Sequence, residues 1–284
     1  MKKTTKILLP TDFSEPAANA FKYALQLADH LGAMIELLHV IYPQGESLDF
    51  PTMVEQATQA QTVIARKQLK DFVKQGSSQV LETLNSNSLL TSTIEVGTPF
   101  STIARICRRD EIDLVIMGSR GTNRSGLDKL IGSVAAKVAS ELDFPVLIVP
   151  EDATFQPIKN LGYASEVLDQ DPFEIWKSLQ LLYPFLPNIH IVHFNFDRNK
   201  DESDWEKMES MKNLLDSKEA NREVTLHHIP GKNLEKDFNA FIKLQNIDLL
   251  TMYRPQQNLW KRLTHKSLTK KMAIHSHTPL LIQK

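Results

Sequence analysis

Residues 112–121 read Ile112-Asp113-Leu114-Val115-Ile116-Met117-Gly118-Ser119-Arg120-Gly121, an apolar run that ends abruptly in Gly-Ser-Arg-Gly. A short, almost uninterrupted apolar run bounded by glycines is what a strand buried on both faces looks like, and such strands belong to parallel sheets covered by helices. The run returns 135 residues further on as Ile247-Asp248-Leu249-Leu250-Thr251-Met252. Phe144-Pro145-Val146-Leu147-Ile148 likewise returns as Thr278-Pro279-Leu280-Leu281-Ile282, and Leu37-Leu38-His39 as Ile191-Val192-His193. The order of these segments is the same in both halves, so the chain reads as two copies of one plan. The polar stretch Glu151–Gln156 marks the boundary, with domains at 1–152 and 153–284.

Working outward through the first half, strands are expected at Lys6–Leu9, Met34–Val40, Leu90–Val96, Leu114–Met117 and Pro145–Val149. Helices are expected between them at Glu15–His30, Val54–Lys74, Phe100–Arg109 and Val134–Leu142. The first helix carries Ala18, Phe21, Ala24, Leu25 and Ala28 at helical spacing, and Ser14-Glu15-Pro16 is a capping hydroxyl, a first-turn acid and a proline at the entry. Strands alternating with helices predict an α/β chain with parallel β-α units.

Composition narrows the function classes. Thirty-three Lys and Arg face 34 Asp and Glu among 284 residues, which argues against a general affinity for nucleic acid or an anionic membrane. One cysteine, Cys107, excludes an intramolecular disulfide framework and a multi-cysteine metal site, and its position on the apolar side of a helix reads as a buried structural thiol. The start MKKTTKILLPTDF lacks the apolar stretch of about 7–15 residues of a secretory signal. No window approaches the roughly 20 apolar residues of a membrane span. A cytoplasmic protein is expected.

The chemistry concentrates where strands end. Gly118 and Gly121 let the backbone turn and approach a ligand, and Gly132-Ser133 open a helix, where free N–H groups and the dipole favour an anion. Asp12 follows the first strand, where it could meet a ribose or base edge. The same glycines also suit plain turns, and Ser133 a plain helix cap. No G-x-G-x-x-G follows the first strand, and Leu127 stands where a P-loop following Gly121 and Gly126 needs lysine. His39 and His193 occupy matching positions and read as satisfied structural imidazoles. His227 and His228, adjacent in a strand-like run, must face opposite ways, and His275 and His277 lack a nearby third ligand. Tyr42–Gln59, with Pro43, Gly45 and Pro51, reads as either a flap or a surface connection.

Leu8-Leu9-Pro10-Thr11-Asp12-Phe13-Ser14, His39-Val40, Ile112–Gly118 and the G-x-x-G…G-S pattern together resemble the universal stress protein family, and the repeat resembles a tandem, two-domain member. The resemblance implies doubly wound, five-stranded parallel sheets of order 3-2-1-4-5 with helices on both faces. It implies ATP, with or without a magnesium ion, held in the first domain. The nucleotide-binding residues would be Pro10, Thr11, Asp12, Val40, Met117, Gly118, Ser119, Arg120, Gly121, Gly132, Ser133 and Val134. Here ten residues, Thr122–Ile131, separate Gly121 from Gly132, against the family's nine. In the second half Tyr253 and Gln256 replace Gly118 and Gly121, Lys266-Ser267 replace Gly132-Ser133, and Glu166 and Phe194 replace Asp12 and Val40. That domain is expected to serve as a partner module that does not hold ATP. Arg254, Lys261, Arg262, Lys266, Lys270 and Lys271 read as a solvated face or a basic patch. Because relatives dimerise through their last strand, Val146–Ile148 and Leu280–Ile282 are expected to meet within the molecule as a pseudo-dimer, with a homodimer as a further assembly. No strong base, nucleophile or metal cluster is visible, so any ATP hydrolysis is slow, with Asp12 orienting water or magnesium. An adenylate-handling enzyme and a nucleotide-free scaffold are the alternatives.

Overall fold

The computed structural model describes residues 4–42, 51–80, 89–119, 132–195, 201–218, 222–230, 234–253 and 278–284. The chain divides into two compact units, Met1–Phe155 and Gln156–Lys284. The first runs β1 (Lys6–Pro10), α1 (Glu15–Leu31), β2 (Met34–Ile41), α2 (Pro51–Ser78), β3 (Leu90–Val96), α3 (Pro99–Arg109), β4 (Leu114–Gly118), α4 (Ser133–Glu141) and β5 (Val146–Val149). The second runs β6 (Asn160–Ala164), α5 (Asp171–Leu181), β7 (Asn188–Asn195), α6 (Asp201–Lys218), β8 (Val224–Pro230), α7 (Leu234–Leu244), β9 (Leu249–Tyr253) and β10 (Leu280–Gln283).

Within the first unit the strands lie in the order β3-β2-β1-β4-β5, all paired in parallel. Within the second the order β8-β7-β6-β9-β10 repeats it. Both are parallel α/β sheets, as the apolar runs indicated, in the 3-2-1-4-5 order that the family resemblance implied. Ile7, Leu8 and Leu9 of β1 are fully buried, because helices cover both faces of the central strand.

The repeated Ile-Asp-Leu has a physical reason. The Asp113 carboxylate accepts the Lys6 N–H at 2.8 Å, and the Asp113 N–H donates to the Lys6 carbonyl at 2.9 Å, setting β1 against β4. Asp248 does the same for β6, its Oδ2 accepting the N–H groups of Lys159 and Asn160 at 2.8 and 2.9 Å.

Helix α1 starts where its signals put it. Ser14 caps it by accepting the Ala17 N–H at 3.3 Å, and Gly32 ends it at φ 62°. The left-handed Gly32 lets its own N–H and that of Ala33 close on the Ala28 carbonyl, satisfying the last turn. The buried face centres on Ala17, Ala20, Phe21 and Ala24, with Ala18 half-exposed at its margin. Phe21 stacks on Phe72 of α2 at 5.4 Å between centroids. Helix α2 begins at Pro51, earlier than periodicity indicated, so Pro51–Gln59 are its first turns and not a flap. Residues 43–50 lie outside the described residues.

The first unit extends through Phe155 because the segment after β5 packs on α1. Asn19 Nδ2 donates to the Pro150 and Ala153 carbonyls, both at 2.9 Å, and Phe155 meets Tyr23 edge-on at 5.2 Å. No helix among the described residues is long and apolar enough to cross a membrane.

Cys107 is fully buried on α3, and burial pushes its thiol up to about 12. At pH 8 only about one thiol in ten thousand would be thiolate, the reactive form. Iodoacetamide should leave the native chain unmodified and alkylate it fully in denaturant, as read by intact mass; modification of the native chain at the denatured rate would refute the burial.

Candidate functional site

β1 and β4 are neighbours whose connections leave in opposite directions, and in open α/β sheets ligands sit beyond the carboxyl ends of strands at such a point. A cavity of about 170 Å³ lies there. Pro10, Thr11 and Asp12 line it from the end of β1, His39 and Val40 from β2, Met117 and Gly118 from β4, and Gly132, Ser133 and Val134 from the start of α4.

The turn after β1 holds this wall in place. Thr11 donates its N–H to the Leu38 carbonyl at 2.8 Å, and its Oγ1 accepts the Phe13 N–H at 3.0 Å. Phe13 adopts φ 63°, unusual for a side chain of that size, and stacks on His39 at 4.3 Å. His39 Nδ1 lies 2.9 Å from the Thr11 carbonyl, so it is the satisfied structural imidazole expected of it. Asp12 is exposed, and its carboxylate accepts the Ser14 N–H at 3.1 Å.

Gly118 has no room for a side chain. A Cβ there would lie 2.6 Å from the Pro16 carbonyl oxygen, so the glycine lets the first turn of α1 close onto the end of β4. The Gly132 amide is not bare, as a ligand-facing role would require. It donates to the Ser119 carbonyl at 2.8 Å, tying the start of α4 to the end of β4. Ser119 is itself buried and donates to Val149. Among the described residues, the amides of Ser133, Val134 and Ala135 meet no partner, because Ala136 N to Gly132 O is the bond that opens the helical ladder and the Gly132 N-cap offers no side chain. Arg120, Gly121 and residues 122–131 lie outside the described residues.

Pro99, Ile103, Ala17, Leu38 and Ala135 also line the cavity and were not singled out from sequence. They are apolar residues on periodic faces, indistinguishable in one dimension from core. Among the described residues no group of three or more His, Cys, Asp or Glu could hold a metal ion.

Residues 3–150, just over half the chain, match the universal stress protein family model. The chain belongs to the universal stress protein family. The universal stress protein MJ0577 of Methanocaldococcus jannaschii is 31% identical over 153 residues, covering 51% of this chain and 93% of that protein. MJ0531 of the same organism is 26% identical over 147 residues, 51% of this chain and 81% of its own length. Over the whole chain the fold is similar to a universal stress protein from Archaeoglobus fulgidus DSM 4304, with a TM-score of 0.73, 17% identity and 99% of each chain covered.

The second unit keeps the turn and changes what surrounds it. Ser165 Oγ accepts the Val167 N–H at 2.9 Å, Val167 has φ 59°, and His193 Nδ1 lies 3.0 Å from the Ser165 carbonyl, each 154 residues from its counterpart. Tyr253 stands at the position of Gly118, and α5 starts at Asp171, two residues later in register than α1. Ala17, Ala20 and Ala24 become Asp171, Glu174 and Ser178, all buried. Asp171 accepts from Tyr163 Oη at 2.8 Å, from Ser165 Oγ and from the Leu168 N–H at 3.1 Å, and burial raises its carboxyl above the usual range. Gln283 Nε2 donates to Ser178 Oγ at 2.7 Å, and Glu174 pairs with Lys177 at 2.7 Å. Gln256, Arg254, Lys261, Arg262, Lys266, Ser267, Lys270, Lys271, His275 and His277 lie outside the described residues.

His227 and His228 do face opposite ways. His228 stacks on His193 at 5.7 Å, while His227 Nε2 lies 3.2 Å from His190 Nδ1.

Gly118→Ala should destabilise the protein by about 1–3 kcal/mol, because the methyl meets backbone that cannot rotate away. Urea unfolding reads this directly, and an unchanged midpoint would refute the close approach. The His190–His227 contact needs at least one neutral ring to accept, and protonating both rings breaks it. Burial lowers both imidazoles below the ordinary 6.5. The unfolded chain therefore protonates first, so their stabilisation is complete above 6.5 and is lost as pH falls from there through the lowered folded values. The urea midpoint should drop between about pH 7.5 and about pH 5.5, and less so in a His190→Gln, His227→Gln double variant. An equal drop in both proteins would exclude the pair as the cause.

Proposed function

We propose that the first unit binds an adenine nucleotide, ATP, and that occupancy of this site, rather than turnover, is the signal the protein carries. The observation that supports this most is the convergence of two unlike walls on one cavity. Open amides of the α4 first turn, at Ser133, Val134 and Ala135, face a space also lined by Pro10, Thr11, Asp12 and Val40. A helix N-terminus suits phosphate oxygens, and strand-end backbone with an apolar rim suits an adenosine. In this reading Met117, Gly118, Ser119, Arg120, Gly121 and Gly132 shape the phosphate end, Gly132 by holding α4 rather than by donating. Asp12 is the residue that would hold a magnesium ion bound with the nucleotide. Any hydrolysis is slow in this reading, since the Asp12 carboxylate already accepts a backbone amide and His39, the other base lining the cavity among the described residues, is engaged with the Thr11 carbonyl.

The second unit is a partner module in this proposal. Tyr253 stands where Gly118 lets α1 close onto the strand end, and α5 begins too late in register to rebuild the same wall. The apolar Val146–Ile148 and Leu280–Ile282 strands are proposed to meet within one molecule, on the argument that such edges aggregate when left open. A cytoplasmic location suits the lone buried thiol.

The rival is a scaffold without nucleotide. It is favoured by the cavity's 170 Å³, below the roughly 300 Å³ at which ligand sites begin, and by the engaged Gly132 amide.

A ligand bound only by the folded state stabilises it by about 2.7 kcal/mol at a hundred times Kd. Millimolar ATP should therefore raise the melting temperature of the full chain, and Val40→Trp, which fills the cavity, should abolish the shift while leaving the unliganded midpoint close to wild type. No shift with ATP or AMP, together with no nucleotide released on denaturing the freshly purified protein, would establish the scaffold.

A further inference from the structure

A second opening in the first unit lies away from the nucleotide cavity, between α2 and β3. It is a groove of about 590 Å³. Its helix wall carries Arg66, Lys70 and Lys74, four residues apart on one face, with Leu69 as apolar floor. Its other wall is β3, at Ser92 and Ile94. All three cations are exposed, and no ion pair or hydrogen bond joins them to a carboxylate among the described residues.

β3 is the outer strand of its unit, paired only with β2 among the described residues. Ile35 of β2 stands beside Leu90 and donates its N–H to the Leu89 carbonyl at 2.9 Å. In a parallel ladder that arrangement turns the N–H and C=O groups of Leu90, Ser92 and Ile94 away from β2, toward the groove edge. Proteins usually blunt such an edge with lysine or proline on the strand itself. Leu90–Val96 has neither; its one charge, Glu95, is held by Arg105 and Arg109 of α3 at 3.0 and 3.4 Å.

The spacing selects the occupant. Successive cations four residues apart on a helix rise by about 6 Å, and alternate side chains of an extended strand are about 6.6–6.8 Å apart. A strand added to β3 with carboxylates at every second position would meet Arg66, Lys70 and Lys74 in turn. The row of cations is not a property of the fold. Helix α2 holds four basic and two acidic residues, whereas α6, its counterpart in the second unit, holds three basic and six acidic.

We propose that the α2–β3 groove is a docking site for an acidic extended peptide of a partner protein, which adds to β3 as a further strand and pairs its carboxylates with Arg66, Lys70 and Lys74. Main-chain bonds to Ser92 and Ile94 supply affinity, and the cation row supplies selectivity for acidic sequences. This site is independent of nucleotide in the neighbouring cavity.

The test is fluorescence anisotropy of the full chain with a labelled peptide of alternating Glu and Val, matched in length to the seven residues of β3. A peptide of alternating Lys and Val is the control. The acidic peptide should bind and the basic one should not. The combined substitution Arg66→Glu, Lys70→Glu, Lys74→Glu should weaken binding at least about tenfold. Ser92→Pro removes an outward N–H without touching the β2 ladder, and it should weaken binding comparably while the urea midpoint holds. Absence of binding by the wild-type chain overturns the proposal. So does binding that Ser92→Pro leaves intact and that heparin displaces, which would make the row a general polyanion patch. Self-association in sedimentation that the charge reversal abolishes also overturns it, by giving the groove to a second copy of the chain.

Discussion

The pairing of β1 with β4 is the constraint on which the rest of each unit depends. Parallel strands have no tight turn to set their register, so it must be set by something else. Here a carboxylate does it: Asp113 accepts the first amide of β1, and Asp248 performs the same service for β6. With the starts aligned, the ends of β1 and β4 come level, and everything chemically interesting lies just past those ends. The Gly118–Pro16 approach follows from having those two strand ends side by side, while the Thr11–Phe13 turn is local and the Ser119–Gly132 bond adds α4 to the same place.

One backbone plan carries two chemistries. The turn after the first strand, with its hydroxyl-accepted amide, its left-handed residue and its histidine, is the same in both units. Its surroundings are not. The first unit packs small alanines of α1 against the sheet and lets the start of α1 close onto Gly118. The second packs Asp171, Glu174 and Ser178 there, each with polar partners, and sets Tyr253 at the strand end. Burying carboxyls is unfavourable unless donors surround them, and here Tyr163, Ser165 and the Leu168 amide serve Asp171 while Lys177 serves Glu174. The helices diverge in the same way, α2 basic and α6 acidic, which is why a surface property of one unit cannot be transferred to the other.

Most of the fold was legible because it rests on periodicity. Strand runs such as Ile112–Met117 and the Ser14-Glu15-Pro16 start have one-dimensional signatures. The site was legible only in part. Glycines and Asp12 announced the strand ends, but the engagement of the Gly132 amide by Ser119 depends on where β4 and α4 meet in space. The apolar lining from Pro99 and Ile103 could not be told from core, since hydrophobicity marks burial and not what is buried against. The start of α2 at Pro51 and not Val54 escaped for a related reason, because Pro51-Thr52-Met53 is too short to show a period and its helicity rests on cooperativity with the rest of the helix.

The sequence by itself determined the alternation of strands and helices, their order, and the repetition of that order, because side-chain hydrophobicity at a period of two or 3.6 needs no partner to be read. Tertiary structure decided which amides remain open at the start of α4, why Gly118 admits no side chain, and which cations of α2 line up along a free strand edge. Each of those depends on two segments distant in the chain coming within a few ångströms, and such distances have no counterpart along a line of letters.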